Sequence, residues 1–251
     1  MALFCDFENV ALGVQDAKYE KFDIARVLER LLLKGSIVVK KAYCDWQRYK
    51  DFKASMHAAA FELIEIPHVR QSGKNSADIR MVVDALDLCY TKGHVDTFVI
   101  ISGDSDFSPL VSKLRENNKE VIGVGVKNSS SDLLVSNCDE FIFYDDLVRE
   151  DEAKRRAAKK RKEAGPAGTD RQQEAFDLVM ETLHALIAER GAGEKIWGSM
   201  VKQALKRRKP GFNESYYGYR AFSDLLEEAQ KKGLIQLAPD EKSGGYLIRP
   251  A

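Results

Sequence analysis

The first 145 residues of the chain alternate short runs of apolar, β-branched residues with longer amphipathic stretches. The short runs predict β-strands at 2–7, 37–43, 62–66, 97–101, 120–126 and 140–143. The longer stretches predict helices at 23–33, 49–60, 77–90, 107–117 and 131–137. Strands that alternate with helices form crossover units, so this part is expected to be an α/β domain with a mostly parallel central sheet. The run Phe98-Val99-Ile100-Ile101 is typical of a central strand buried on both faces.

The predicted helix at 77–90 has an apolar stripe with helical spacing. Its members recur at i, i+3, i+4, i+7 and i+11, and they are Ile79, Val82, Val83, Leu86 and Tyr90. This spacing predicts that the stripe faces the protein core. Asp84 and Asp87 lie off the stripe and are expected on a solvated helix face.

Acidic residues follow two of the predicted strands and begin one of the predicted helices. They are Asp6 and Glu8, which are followed by Asn9, then Asp78, and finally Asp104 with Asp106. Functional crevices of parallel sheets lie beyond the carboxyl ends of the strands, so these side chains converge if their strands are neighbours. Two carboxylates about 4 Å apart repel by roughly 4 kcal/mol at an effective dielectric near 20. A cation relieves that repulsion, and an all-oxygen site favours Mg²⁺ or Mn²⁺.

Each acidic residue also has a purely structural interpretation. Asp106 precedes Phe107-Ser108-Pro109 and is suited to cap a helix. Asp78 is suited to the first turn of a helix, where it would interact with the helix dipole. Asp6 lies between Cys5 and Phe7, where an unpartnered charge is costly, so a functional role is favoured there.

Other motifs exclude several classes of site. The four cysteines are far apart and form no CxxC pair, so buried free thiols are expected rather than a zinc site. The four histidines share no ligand or triad spacing, and no nucleotide-binding loop is present. No signal peptide or membrane-spanning run is visible, so a cytoplasmic setting is expected.

The zero net charge of the whole chain hides an uneven distribution. Residues 1–150 carry 19 Lys and Arg against 24 Asp and Glu, whereas residues 151–165 carry 7 against 3. The basic segment ends in glycine and proline, and the pattern beyond it predicts three helices and a terminal β-hairpin. We therefore expect a domain at 1–148, a basic linker at 149–169 and a small winged-helix-type domain at 170–251.

The segments LFCDFENV, KNSADIRMVVDAL and VIISGDSDFSPLV, in this order, resemble the NYN family of PIN-like ribonucleases over roughly residues 1–145. The resemblance implies a three-layer α/β/α fold and metal-dependent hydrolysis of RNA. It implies that Asp6, Asp78, Asp104 and Asp106 bind Mg²⁺ or Mn²⁺ and that Asn9 orients substrate or water. Lys74 matches a basic residue of the family and would meet a phosphate. A homodimer is compatible with the resemblance, although no sequence pattern indicates one.

The C-terminal region resembles the LOTUS domain, also called OST-HTH. The matching features are the helix at 199–205, Pro210-Gly211-Phe212-Asn213, Gly218-Tyr219 with Phe222, and Gly233-Leu234-Ile235. The resemblance implies RNA binding or docking onto a protein partner. The basic run Lys206-Arg207-Arg208-Lys209 and Lys202 are candidate phosphate contacts, and Tyr216 and Tyr217 are candidate stacking platforms. Alternatively, the basic run only complements the C-terminus of its helix.

These observations predict a metal-dependent ribonuclease whose RNA substrate is recruited by the C-terminal domain. The rival interpretation is a non-catalytic RNA-binding or scaffold protein that retains the fold. A nuclease acting on DNA, or a phosphatase, is a second alternative. Against a phosphatase, position 8 is Glu, so the Asp-x-Asp signature after the first strand is absent.

Overall fold

The computed structural model describes residues 1–66, 75–163, 171–191, 193–240 and 245–251, without the side chains of 154–163. It divides into two compact units. The first contains Met1–Leu28 and Ile37–Arg156, and the second contains Glu29–Ser36 and Ala157–Ala251. In the described part of the chain, no helix has the length and apolar character needed to cross a membrane.

A six-stranded sheet forms the centre of the first unit. Its strands are β1 (Ala2–Asp6), β2 (Val39–Cys44), β3 (Glu62–Glu65), β4 (Thr97–Ile101), β5 (Glu120–Gly125) and β6 (Glu140–Phe143). The spatial order is β3-β2-β1-β4-β5-β6, and each neighbouring pair is parallel. The predicted parallel α/β sheet is therefore confirmed, with all six predicted strands present. The order of strands reverses at β1, which lies between β2 and β4.

Among the described residues, seven α-helices accompany this sheet in the sequence. They are α1 (Phe7–Asp16), α2 (Ile24–Lys34), α3 (Lys50–Ala58), α4 (Ser76–Thr91), α5 (Ser108–Glu116), α6 (Asp132–Asn137) and α7 (Tyr144–Glu163). Helix α1 was not predicted. Its buried positions are Phe7, Val10, Gly13 and Val14, and the glycine interrupts the apolar pattern that would reveal the helix. Helix α7 continues into the basic segment that was interpreted as a linker.

The predicted core stripe of α4 is only partly correct: Val82 and Leu86 are partly buried against the core, whereas its other three members are exposed. Met81, Ala85 and Cys89 are the buried residues of this helix. Ile79, Val83 and Tyr90 are instead 63%, 55% and 64% exposed. Apolar residues cover a wide arc of α4, and the sheet selects the narrower face that packs against residues such as Phe4 and Phe98.

Asp84 differs from its predicted position on a solvated face. Its side chain is 12% exposed, and it accepts hydrogen bonds from Tyr43 Oη at 2.9 Å, Lys41 Nζ at 3.1 Å and Arg80 Nε at 3.0 Å. These donors and their positive charges hold the pKa of Asp84 below its ordinary value, against the opposing effect of burial. Asp84 is therefore a structural residue that joins α4 to β2.

The second unit contains the helices α8 (Arg171–Arg190), α9 (Gly198–Arg208) and α10 (Phe222–Lys231). The strands β7 (Ile235–Pro239) and β8 (Tyr246–Pro250) pair in an antiparallel hairpin. The three predicted helices and the hairpin are therefore present. The third helix begins at Phe222, because a short 3₁₀ helix at Glu214–Tyr217 ends in Gly218 with a φ of +89°. Phe212, Tyr219 and Phe222 are buried in the core of this unit.

Candidate active site

The candidate acidic residues of the first unit lie near the carboxyl ends of β1 and β4, which are neighbouring strands. Asp6 is the last residue of β1 and also the N-cap of α1. Asp104 follows the end of β4 by three residues, and Asp78 lies in the first turn of α4. This position, where the strand order reverses, is the usual place for the functional crevice of an open parallel sheet.

Asp6 is almost completely buried, with 7% of its surface exposed. Ser102 Oγ donates to its Oδ2 at 2.9 Å, and the Asn9 backbone N–H approaches its Oδ1 at 3.4 Å. Burial, followed by the charge of Asp78, raises the pKa of Asp6 to about 7, and Asp104 acts in the same direction. A carboxyl group whose burial and charged neighbours oppose its ionisation is a typical feature of a functional site.

A network of hydrogen bonds holds the loop that carries Asp104. Ser102 Oγ accepts from the Asp104 N–H at 3.2 Å, and Asn9 Oδ1 accepts from the Gly103 N–H at 2.9 Å. A side chain at Gly103 would collide with the backbone carbonyl of Ser129, so the close approach of these two segments requires glycine. Asn9 therefore positions the loop between β4 and α5 in this structure.

Asp104 and Asp106 occupy different positions in that loop. Asp104 Oδ1 accepts from the Asp106 N–H at 2.9 Å, so Asp104 caps the short 3₁₀ helix Ser105–Phe107. The structural interpretation of Asp106 as a helix cap is therefore wrong, and Asp106 is exposed. Asp78 is half-buried, and its pKa is raised first by burial and then by the charges of Asp104, Asp106 and Glu8. The four acidic residues therefore act on one another electrostatically.

The carboxylate groups at this edge are of the chemical type that a divalent cation with a preference for oxygen ligands binds. The charges that act on Asp6 and Asp78 are carboxylates, and each raises the pKa of its neighbour. A cation among them would reverse this effect, and carboxylate oxygens are the ligands that Mg²⁺ and Mn²⁺ prefer. In the described ranges, no three His, Cys, Asp or Glu side chains have the spacing of metal ligands. Binding a cation would therefore require the carboxylates to turn toward it.

One basic residue near this edge was not predicted. Arg48 lies between β2 and α3, beyond the carboxyl end of β2, and its Nη1 contacts Glu8 Oε1 at 3.0 Å. About half of the Arg48 side chain is exposed. No sequence motif marks Arg48. It lies beside Glu8 because β1 and β2 are paired in the sheet. Lys74, the predicted phosphate contact, lies outside the described residues.

Several predicted RNA contacts in the second unit are engaged with other protein groups. Arg208 is 7% exposed, and it donates to Thr182 Oγ1 at 3.2 Å and to Glu181 Oε1 at 2.6 Å. Arg207 donates to the backbone carbonyls of Leu32 and Leu33 at 2.7 and 2.9 Å. These two arginines stabilise the second unit, which restricts their availability to a phosphate.

The remaining candidates in the second unit are more accessible. Lys206 and Lys209 are exposed at the end of α9, and Tyr216 is 58% exposed with the Arg171 guanidinium 5.1 Å from its ring centre. Lys202 pairs with Glu214 at 2.9 Å. Tyr217 stacks on Phe212 with ring centres 5.3 Å apart. An accessible basic and aromatic surface is therefore limited to a subset of the predicted residues.

Two comparisons with known proteins each cover more than half of the chain. The chain is 26% identical over 140 residues to the uncharacterized protein MJ0482 of Methanocaldococcus jannaschii, a match that covers 56% of this chain and 55% of that protein. The chain thus spans about half the length of this relative. A crystal structure of a protein of unknown function, VPA0982 from Vibrio parahaemolyticus, is 27% identical with a TM-score of 0.51. That match covers 58% of this chain and 93% of the other.

A family model defines the relationship more directly. The NYN domain model matches residues 1–145. This segment contains the six-stranded sheet and the candidate residues Asp6, Asp78, Asp104 and Asp106. NYN domains are a PIN-like nuclease family, and a six-stranded parallel sheet flanked by helices is consistent with that fold. The LOTUS resemblance of the C-terminal region stays a prediction. By its matched segment, its sheet and its acidic edge, the chain belongs to the NYN domain family.

Proposed function

We propose that this protein is a divalent-metal-dependent ribonuclease. The observation that carries the proposal is the meeting of Asp6, Asp78, Asp104 and Asp106 at one edge of the sheet, where burial and mutual repulsion raise the pKa values of Asp6 and Asp78. Membership of a nuclease family supports the same reaction class. These four residues would hold Mg²⁺ or Mn²⁺. When bound, the cation supplies a water of lowered pKa and neutralises charge on the phosphate.

The residues of the chain keep this site in place before substrate arrives. Ser102 joins Asp6 to the backbone of Asp104, and Asn9 joins α1 to the same loop through Gly103. Such fixed contacts reduce the reorganisation needed when charge develops on the substrate. Arg48 would contact the RNA backbone, because its guanidinium lies beside the acidic edge and remains half exposed.

We further propose that the second unit recruits RNA, with domain bounds at 1–148, 149–169 and 170–251. The support is that Lys206, Lys209 and the ring of Tyr216 are each exposed, together with the basic composition of 151–165. A surface of this kind binds nucleic acid through phosphate contacts and base stacking. Tethering it to an acidic catalytic unit would raise the local concentration of substrate. RNA is the proposed partner; the LOTUS resemblance also leaves room for a protein partner at this unit.

The test is cleavage of end-labelled single-stranded RNA by the full-length protein in Mg²⁺ or Mn²⁺. Asp104→Asn removes one proposed ligand, and Asp87→Asn makes the same charge change at an exposed residue of α4. We expect cleavage by the wild type and by Asp87→Asn, and loss of cleavage in EDTA and in Asp104→Asn. The same sequence as single-stranded DNA measures the preference for RNA.

Two results would overturn the proposal. One is cleavage that persists in EDTA and in Asp104→Asn. The other is RNA binding without cleavage by either protein, which would instead establish the non-catalytic binding function. Cleavage of DNA at the rate of RNA would retain the metal nuclease and change its substrate class.

A further inference from the structure

A cavity of about 700 Å³ opens directly beside the acidic edge. Asp78 and Asp106 line one side of it, so two of the proposed metal ligands face the same space. The rest of its wall comes from α4, from the start of α5 and from Leu133. A volume of this size is within the range of roughly 300–1,000 Å³ that is typical of small-molecule sites.

The wall away from the carboxylates is aliphatic and accessible. Ile79, Val83 and Leu133 line it, and they are 63%, 55% and 56% exposed. Ile79 and Val83 belong to the stripe of α4 that the sequence pattern assigned to the core. Apolar side chains that gather around a cavity rather than scatter over a surface often mark a binding groove.

Two polar residues also line the cavity, Ser108 and Asn75. The hydroxyl of Ser108 is buried, with 5% of the residue exposed, and has no hydrogen-bond partner among the described residues. Asn75 precedes α4 and makes no side-chain capping bond to it. A buried hydroxyl without a partner is unfavourable, so a bound group that completes it is favoured.

We propose that this cavity receives the unpaired base of the nucleotide next to the phosphate held at the acidic edge. The inference rests on the proposed function, because it takes the phosphate to bind near Asp78 and Asp106. A base has apolar faces that match the aliphatic wall and a polar edge that matches Ser108 and Asn75. A second phosphate does not match, because the aliphatic wall offers it no cation or hydrogen-bond donor. The occupant beside the carboxylates is therefore the uncharged part of the nucleotide.

This occupant sets the class of substrate. A paired base must lose its pairing and stacking to enter the cavity, whereas a base in a single strand is already accessible. The cavity therefore favours single-stranded over double-stranded nucleic acid. It also makes Ile79, Val83 and Ser108 specificity-determining residues of the site.

The test uses fluorescein-labelled single-stranded RNA oligonucleotides that carry one abasic residue at successive positions. Affinity is measured by fluorescence anisotropy with Ca²⁺, and cleavage is measured in parallel with Mn²⁺, both with the full-length protein. The double variant Ile79→Ser/Val83→Ser removes the apolar wall. Val38→Ser is the matched control, since Val38 is 58% exposed and lies just before β2, at the opposite end of the strands.

We expect an abasic residue at one position to weaken the affinity of the wild type for the oligonucleotide by about fivefold, because part of the apolar contact with the missing base is lost. The double variant should bind the intact and abasic strands equally, while Val38→Ser should keep the wild-type ratio. Ser108→Ala removes only the unpartnered hydroxyl, so it should fold normally and change the preference among the four bases.

The inference is overturned if no abasic position affects the wild type, if the wild type binds no oligonucleotide, or if the double variant keeps the full discrimination. Failure of the proposed function is a separate result. Base-dependent binding in Ca²⁺ without cleavage in Mn²⁺ would support the base site and reject the nuclease.

Discussion

Replacing Asp6 by Asn should stabilise the metal-free protein at neutral and alkaline pH. Asp6 is buried, and its pKa rises from 3.8 to about 7 in the folded state. In the unfolded chain the same carboxyl group has an ordinary pKa, so unfolding releases a proton between about pH 4 and pH 7. The folded protein therefore loses stability as pH rises through this window. Asparagine has a similar shape and no charge, so the variant avoids the loss.

The size of the effect follows from the shift. The pKa of Asp6 differs by roughly 3 between the folded and unfolded states. At about 1.4 kcal/mol for each pH unit, this corresponds to about 4 kcal/mol at pH 8. Asparagine disturbs the bond from Ser102, which costs about 1 kcal/mol. The net gain is therefore about 3 kcal/mol at pH 8. Below about pH 4, where Asp6 is protonated in both states, only the loss of about 1 kcal/mol remains, so the variant should be slightly less stable than the wild type.

The assay is urea unfolding of the full-length proteins in EDTA at a series of pH values, with Asp87→Asn as the control for a change of one charge. The free energy of unfolding of Asp6→Asn minus that of the wild type should rise with pH. Added Mn²⁺ should stabilise the wild type at pH 8 more than the variant. A difference that does not change with pH, or a variant that is less stable than the wild type at pH 8, would refute the reasoning.

Three further outcomes are expected. Asp84→Ala should lower the free energy of unfolding by about 2–3 kcal/mol in urea, because three donors lose their acceptor; an unchanged midpoint would contradict the buried network. Gly103→Ala should lower both the melting temperature and RNA cleavage, since its Cβ would strike the backbone of Ser129; full activity would show that the loop adapts. Lys206→Glu with Lys209→Glu should raise KM for RNA and leave kcat unchanged, because these exposed lysines lie outside the first unit; an unchanged KM would reject recruitment through α9.

Local sequence patterns were sufficient for most of the secondary structure. Strand positions such as Thr97–Ile101 follow from continuous apolar runs, because a strand buried on both faces has little tolerance for polar residues. Helix α1 was missed for a local reason, because Gly13 interrupts its apolar pattern. The face of α4 was misassigned for a different reason, because residues far away in the chain decide which side of that helix meets the sheet.

The acidic site also combines features that the sequence predicts with features that depend on the tertiary structure. The positions of Asp6, Asp78, Asp104 and Asp106 after strands or at a helix start are readable from the sequence, since an unpartnered charge there needs an explanation. Their interaction is not readable, because it depends on β1 and β4 being neighbours. Likewise, the sequence marks Asp106 as a possible cap, whereas the structure assigns the capping bond to Asp104.

The sequence by itself determined the class of fold and the family, and it marked the acidic residues that are proposed to hold a cation, because these depend on local periodicity and on the chemistry of each side chain. Only the tertiary structure decided that Asp6 is buried beside Ser102, that Arg208 is engaged with Glu181, and that the apolar face of α4 lines a cavity. The burial of a side chain and its hydrogen-bond partners depend on which distant segments pack against it. The sequence pattern of a single segment does not contain that information.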